Sequence, residues 1–371
     1  MLLGWITITF APGVNDYWSN NIQAIPEHAL LMKDPIRFIT SIGYSNYDEY
    51  GNYFGSVNSY WNDLEVNLLI KVIAVFDILS RGNYFINSIF FASLGFIGHV
   101  AFFRLLKMAF PGKDSAMIIA CFLLPSTLYF TSGVHKDTLL FMCLGLYCYS
   151  LYVCVTDKPN WRHLIALIFS FTGILLFRNY TAVLLLPCSL AFTLCHFFPF
   201  RPWKIFFTVY LSFFGLAVLA QFSTDYFHPF DLIVQKLADF KELGIAGSQL
   251  PALNLHTTIR SFLESAPPAL GHIFFRPYVY EHSFGLWTVL GCEITIVSFL
   301  ALILFGKIFL NKISLSPILC FMLSLAISSF LIIGYIVPNT GSIVRYRSLF
   351  LPLITAPALY YLDMRKRYIK F

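Results

Sequence analysis

Charge is scarce in this sequence. Asp, Glu, Lys and Arg make up 12% of its 371 residues, against 58% hydrophobic residues, whereas a soluble domain carries about 25% charged residues. That shortage, with a mean hydropathy of +0.71, excludes an ordinary soluble fold. Strict apolar/polar alternation is also missing, which excludes a membrane β-barrel. No Gly-rich phosphate loop, HExxH or GxSxG motif occurs, and there is no internal repeat or low-complexity segment. The eight cysteines all fall in or at the edges of apolar stretches, so neither a disulfide framework nor zinc-ligand spacing is present. No basic patch interleaved with aromatics points to nucleic acid. "MLLGWITITF" lacks a basic n-region and is followed by no small-residue cleavage site, so no cleavable signal is expected.

What is present is a recurrence of apolar stretches of about 17 to 25 residues, the length of a transmembrane helix. The expected fold is all-α, a polytopic transmembrane helix bundle of about ten spans, with interfacial helices in two long outer loops. The spans are read at 1–12, 84–106, 116–131, 138–155, 164–178, 181–198, 204–222, 284–306, 315–337 and 348–364. The first is short, since about 12 residues at about 1.5 Å each reach about 18 Å against a core of about 30 Å. Either the chain starts upstream of Met1 or this helix only half enters.

The few charges are unevenly placed. The short loops near 104–114, 157–162, 201–204 and 307–312, with the tail after 363, hold thirteen bases and three acids, leaving twelve bases and sixteen acids opposite. By the positive-inside rule the first set, including the C-terminus, is cytoplasmic. The stretch 62–82 would upset this orientation if it crossed. Asn62 or Asp63 reads as its N-cap and Gly82 as its stop, and Glu65, Lys71 and Asp77 interrupt its apolar run, so a helix lying at the outer interface is expected. Two outer loops are long enough to carry structure or function. The first contains a helix start at Asp34–Pro35 and a Tyr, Asn and Gly-rich loop around 44–61. The second contains "FDLIVQKLADFKELGIAG", with apolar residues at helical spacing up to Gly244.

Chemistry is sought where charge lies deep. The hairpin 115–155 has roughly 17 residues per leg, so its tip, with Lys136 and Asp137, stays near the lipid phosphates, and so does Arg178 in "FRNYTA". Charge at that depth is costly unless paired or facing a wet cavity. Lys136 and Asp137 read equally as a salt-bridged turn with snorkelling side chains. In "NTGSIVRYRSLFLPL", Arg345 and Arg347 flank Tyr346, and paired guanidinium groups suit a phosphate or pyrophosphate; pairing with the surplus outer acids is the other reading. Arg276 and Glu281 in "FFRPYVYEH" are a weaker set, equally able to anchor an aromatic interface. Asp16 is the first outer acid, by itself an ordinary loop or cap residue. Asp48 and Glu49 read as a solvated turn. His99 reads as a packed, hydrogen-bonded histidine.

On these residues the layout resembles the GT-C superfamily of membrane glycosyltransferases, which use polyprenyl-phosphate-linked sugars. Residues 1–222 match its order: a first span, an outer loop (13–83) opening on an acid, Asp16, an interfacial helix at 62–82, then further spans. Residues 223–371 form a variable second part. Asp137 looks like the second acidic position of many members, and "RYR" with the following "LP" is similar to segments of bacterial polysaccharide assembly proteins. The match departs from the family in that the acidic pair is Asp16 followed by Tyr17. The resemblance implies an inverting transfer from a polyprenyl-phosphate sugar donor to a glycan or lipid-linked acceptor, on the outward face of a bacterial inner membrane. Asp16 would be the base, Arg345, Arg347 and Arg178 would hold the lipid phosphate, and Lys136 and Asp137 would position donor or acceptor. Loss of a phosphate needs cations rather than a general acid, and the acceptor hydroxyl needs one carboxylate. No metal-ligand set is read and no cofactor is assigned; a divalent metal stays open. A Wzy-like polysaccharide polymerase or ligase acting on lipid-pyrophosphate-linked glycans is the alternative. A transporter would need an inverted repeat and broken helices, neither of which is read, and a non-catalytic scaffold would not need Arg178.

Overall fold

The computed structural model describes residues 16–43, 59–157, 160–223, 228–242, 248–251, 253–281 and 285–362. Among them the chain is all-helical, apart from one isolated bridge between Gln249 and Asn339. Among the described residues three α-helices precede the first membrane-length one: α1 (Asp16–Lys33), α2 (Pro35–Thr40) and α3 (Tyr60–Ser80). Asp34 caps α2, its Oδ1 accepting the Arg37 N–H at 3.0 Å, and Pro35 occupies the first turn, where a missing N–H costs nothing. The cap of α3 is Ser59, not Asn62 or Asp63, and the helix ends on Arg81 in the left-handed region (φ 53°) before Gly82 (φ 78°). The Tyr-rich stretch 44–58, with Asp48 and Glu49, lies outside the described residues, as does the stretch 1–12.

Then come α4 (Tyr84–Ala109), α5 (Asp114–Phe122), α6 (Pro125–Thr131), α7 (Lys136–Thr156), α8 (Trp161–Phe177), α9 (Asn179–Phe197) and α10 (Pro202–Ser223). The second long loop contributes α11 (Pro229–Glu242) and α12 (Ile259–Phe275), and the chain closes with α13 (Leu286–Phe309), α14 (Pro317–Ile336), α15 (Thr340–Ser348) and α16 (Leu351–Leu362). Six of these, α4, α7, α9, α10, α13 and α14, are long and apolar enough to cross a membrane. This is an all-helical membrane protein. The stretches 164–178 and 348–364, expected as full spans, are helices of 17 and 12 residues.

The stretch 116–131, expected as one straight span, is bent by 51° between α5 and α6. The cause is Pro125, which has no N–H to offer the Cys121 carbonyl one turn back. That carbonyl accepts instead from His99 Nδ1 on α4, at 2.5 Å, and the Ser126 N–H is taken by both carboxyl oxygens of Glu293 on α13, at 3.2 and 3.1 Å. With no water to turn to, backbone freed inside an apolar bundle must find such partners.

Helix α4 runs against α7, and α7 against α8. The backbones of α4 and α7 meet at Gly98 and Gly145, where a β-carbon on Gly145 would sit 2.5 Å from the Gly98 carbonyl oxygen. Small residues permit backbone contact where no water drives helices together. Along their apolar stretches α7 and α14 are 67% and 72% buried and α10 only 17%, so α7 and α14 form the interior and α10 faces outward. All eight cysteines are free.

Candidate functional site

The interior helix α7 begins with the charges noted in the sequence. His135 is its N-cap, the ring Nδ1 accepting the Asp137 N–H at 3.0 Å, which fixes the first turn. Asp137 is fully buried, yet its neighbours come from distant parts of the chain. Arg178 at the junction of α8 and α9 donates from Nη2 to Oδ1 at 2.5 Å, and Arg345 of α15 donates from Nε to Oδ2 at 2.5 Å. Arg345 also lies against the His135 ring, and the Arg178 guanidinium stacks 4.1 Å from the Tyr346 ring centroid.

One carboxylate thus holds two guanidinium groups. The Arg345 side chain is 17% exposed, whereas those of Asp137 and Arg178 are nearly sealed at 1% and 5%. Arg178 Nη1 and the Tyr180 hydroxyl are buried with no hydrogen bond of good geometry to the protein. Burying such donors unmet costs about 1 to 3 kcal/mol each, so the cluster is under-satisfied. The position of α15 is set by the second long loop: Asn339 caps it, accepting the Ser342 N–H at 2.7 Å, and the Thr340 N–H donates to the Ser248 carbonyl at 2.9 Å.

Other candidates are placed elsewhere. Lys136 points out of the cluster to an ion pair with Glu65 of α3. Arg347 is two residues from Arg345, about 200° around a helix. It is buried at 1% exposure, Nη1 donating to the Ile273 carbonyl at 2.6 Å and to the Arg276 carbonyl at the end of α12. Arg276 pairs with Glu281 at 2.5 Å, and Glu281 also accepts the Tyr278 N–H at 2.9 Å, a closed local set. Beside it on α12, burial first and then Arg276 hold His272 below the usual imidazole range, with Glu281 opposing. Asp16 is the first residue of α1, but its side chain lies outside the described residues. Among the described residues no group of three or more His, Cys, Asp or Glu is placed to hold a metal.

His135 and Tyr180 belong to the cluster and were not among the residues selected from the sequence. The signal for His135 was its place immediately before Lys136–Asp137, where a helix start needs an acceptor; Tyr180 carried none. Glu293, a lone acid in an apolar span, was detectable as an intramembrane ionisable group. No protein-family model, curated protein or solved structure matches this chain.

Proposed function

We propose that this protein is a membrane glycosyltransferase moving a sugar from a polyprenyl-phosphate donor to an acceptor on the non-cytoplasmic face of a bacterial inner membrane, with inversion. The reading counts about ten crossings: the six long helices, the α5–α6 pair, α8, α16 and the stretch 1–12. It takes the basic short loops as cytoplasmic, which puts the Asp137 cluster on the outer side.

One observation carries the proposal: two guanidinium groups, Arg178 and Arg345, are brought from distant parts of the chain onto the buried carboxylate of Asp137, with the Arg345 side chain 17% exposed. A sugar polyprenyl phosphate is a phosphodiester with one negative charge, an anion of the kind that paired guanidinium groups bind. A lipid pyrophosphate offers the same chemistry, and turnover of the two substrate classes separates the donor reading from the polymerase alternative. The acceptor oxygen attacks the anomeric carbon, and the bond to the phosphate oxygen breaks with its electron pair going to the phosphate. The second negative charge develops there, beside Arg345 and the unmet Nη1 of Arg178, and fixed cations at that point lower the barrier. The acceptor proton passes to a carboxylate base, assigned to Asp16. Asp137 has both oxygens on guanidinium groups, which suits it to orient the arginines rather than to take a proton.

The filled break between α5 and α6 speaks against a transporter. Its freed carbonyl and N–H are bonded to His99 and Glu293, whereas a transport site leaves such groups for the substrate. The test is to incubate purified protein with polyprenyl-phosphate sugars and, separately, with lipid-pyrophosphate oligosaccharides. Release of polyprenyl phosphate from the first set is expected; consumption of the second set alone would reassign the protein to the polymerases.

A further inference from the structure

A second buried polar cluster lies between α1, α3 and the start of α4. It is far from the first: Glu65 of α3 meets Lys136, and Asp77 is twelve residues further along the same helix, about 18 Å at 1.5 Å per residue. Asp77 is 1% exposed, and its Oδ1 accepts from Ser80 Oγ at 2.9 Å and from Asn87 Nδ2 at 2.7 Å. Asn87 Nδ2 also donates to Asn21 Oδ1 at 2.8 Å, and Asn21 Nδ2 donates to the Gly82 carbonyl at 3.0 Å. Both neighbours of Asn87 Nδ2 are acceptors, so the amide orientation is fixed by chemistry. What remains is a pair of buried acceptors without donors, Asp77 Oδ2 and Asn87 Oδ1.

Asp77 lines an open cavity of about 430 Å³ together with Ile25, His28, Met32, Ile78, Arg81 and Gly82. That volume falls in the range of small-ligand sites, about 300 to 1,000 Å³. Its lining combines one acid, Asp77, with apolar side chains and an exposed cation, Arg81. His28 uses Nδ1 to donate to the Ala74 carbonyl at 3.1 Å, leaving Nε2 as its remaining polar atom. Arg81 stands at a left-handed backbone position where Gly or Asn would be cheaper. The cavity lies where the membrane-length helix α4 begins at Tyr84, flanked by exposed Ile22, Met32, Ile36 and Leu79. In the orientation proposed above, that is the level of lipid headgroups.

We propose that this cavity holds the phosphoethanolamine headgroup of a membrane lipid. The primary ammonium donates to Asp77 Oδ2, the phosphate meets Arg81 and His28, and the acyl chains lie over the neighbouring exposed apolar side chains. A buried carboxylate needs both a countercharge and a hydrogen-bond donor, and a primary ammonium is both. A quaternary choline ammonium supplies charge without a donor, and a glycerol headgroup supplies donors without charge.

The test uses the full-length protein in detergent, titrated with dihexanoyl-phosphatidylethanolamine, dihexanoyl-phosphatidylcholine or dihexanoyl-phosphatidylglycerol, with thermal stabilisation as readout. The ethanolamine lipid is expected to half-saturate at about tenfold lower concentration than the others, a difference of one charge-assisted hydrogen bond. Asp77→Asn should erase that preference. Should Asp77→Asn fail to fold, Arg81→Gly, which suits the left-handed backbone, should weaken the ethanolamine lipid by a similar factor. Equal response to the three lipids, an unchanged preference in folded Asp77→Asn, or undiminished binding of the ethanolamine lipid by Arg81→Gly would overturn the proposal. Soluble phosphoethanolamine as effective as the lipid would overturn the membrane source. Because the readout is binding, the result is independent of glycosyl transfer.

Discussion

Arg345 and Arg347 stand two residues apart on one nine-residue helix and have opposite surroundings. Arg345 reaches a buried carboxylate and is 17% exposed; Arg347 is sealed, its Nη1 aimed at the carbonyls that end α12. The α-helical repeat separates them by about 200°, so "RYR" cannot act as one clamp on one phosphate. In a strand the two side chains would share a face; here one serves the cluster and the other fastens α15 to α12. Position in the bundle, more than residue type, decides what a membrane arginine does.

The widest separation between the two is expected in turnover. Arg345→Ala should lower transfer by about 10³-fold, the scale of removing a fixed cation from a developing anion, while Asp137 keeps Arg178 and the protein stays folded; the check is release of polyprenyl phosphate beside an unfolding curve. Arg347→Met should do the reverse. It leaves two buried carbonyls without a donor and should cost about 3 kcal/mol of stability, seen in thermal unfolding in detergent, with Arg347→Lys recovering part of it. A smaller effect is expected at Lys136→Met, which leaves Glu65, itself only 10% exposed, without its partner; about 1 kcal/mol is expected because the lysine end is partly solvated. The smallest lies beside Arg347's own anchor. His272 binds its proton less readily when folded, so the unfolded chain takes up a proton the folded one refuses. Stability should therefore fall as pH drops through the ordinary imidazole value of about 6.5, and His272→Gln should flatten that limb in melts at high and low pH.

Much of the scaffold could be read directly. The long apolar runs at 84–106, 138–155, 181–198, 204–222, 284–306 and 315–337 coincide with α4, α7, α9, α10, α13 and α14, because hydropathy over about 20 residues is a local property. The break at 116–131 was also written locally, in Pro125, but composition alone hid it. The cluster was half readable. Asp137 and Arg178 stood out because charge at that depth is rare, whereas their union with Arg345 depends on how α15 is held by residues 248–250, a contact across the chain. The Arg347 bonds to Ile273 and Arg276 are equally non-local. Asp77 was read as an interruption of an apolar run, and its missing hydrogen-bond donor became visible only with Asn87 and Asn21 beside it.

The most direct measurement is equilibrium binding of polyprenyl phosphate, without a sugar, to the wild-type protein and to Arg345→Ala and Arg276→Ala. Binding should fall by about 30-fold or more in Arg345→Ala, the loss of a charge-assisted bond and its cation, and stay unchanged in Arg276→Ala, whose arginine is spent on Glu281. Full binding by folded Arg345→Ala would contradict the assignment of the lipid phosphate to the Asp137 cluster.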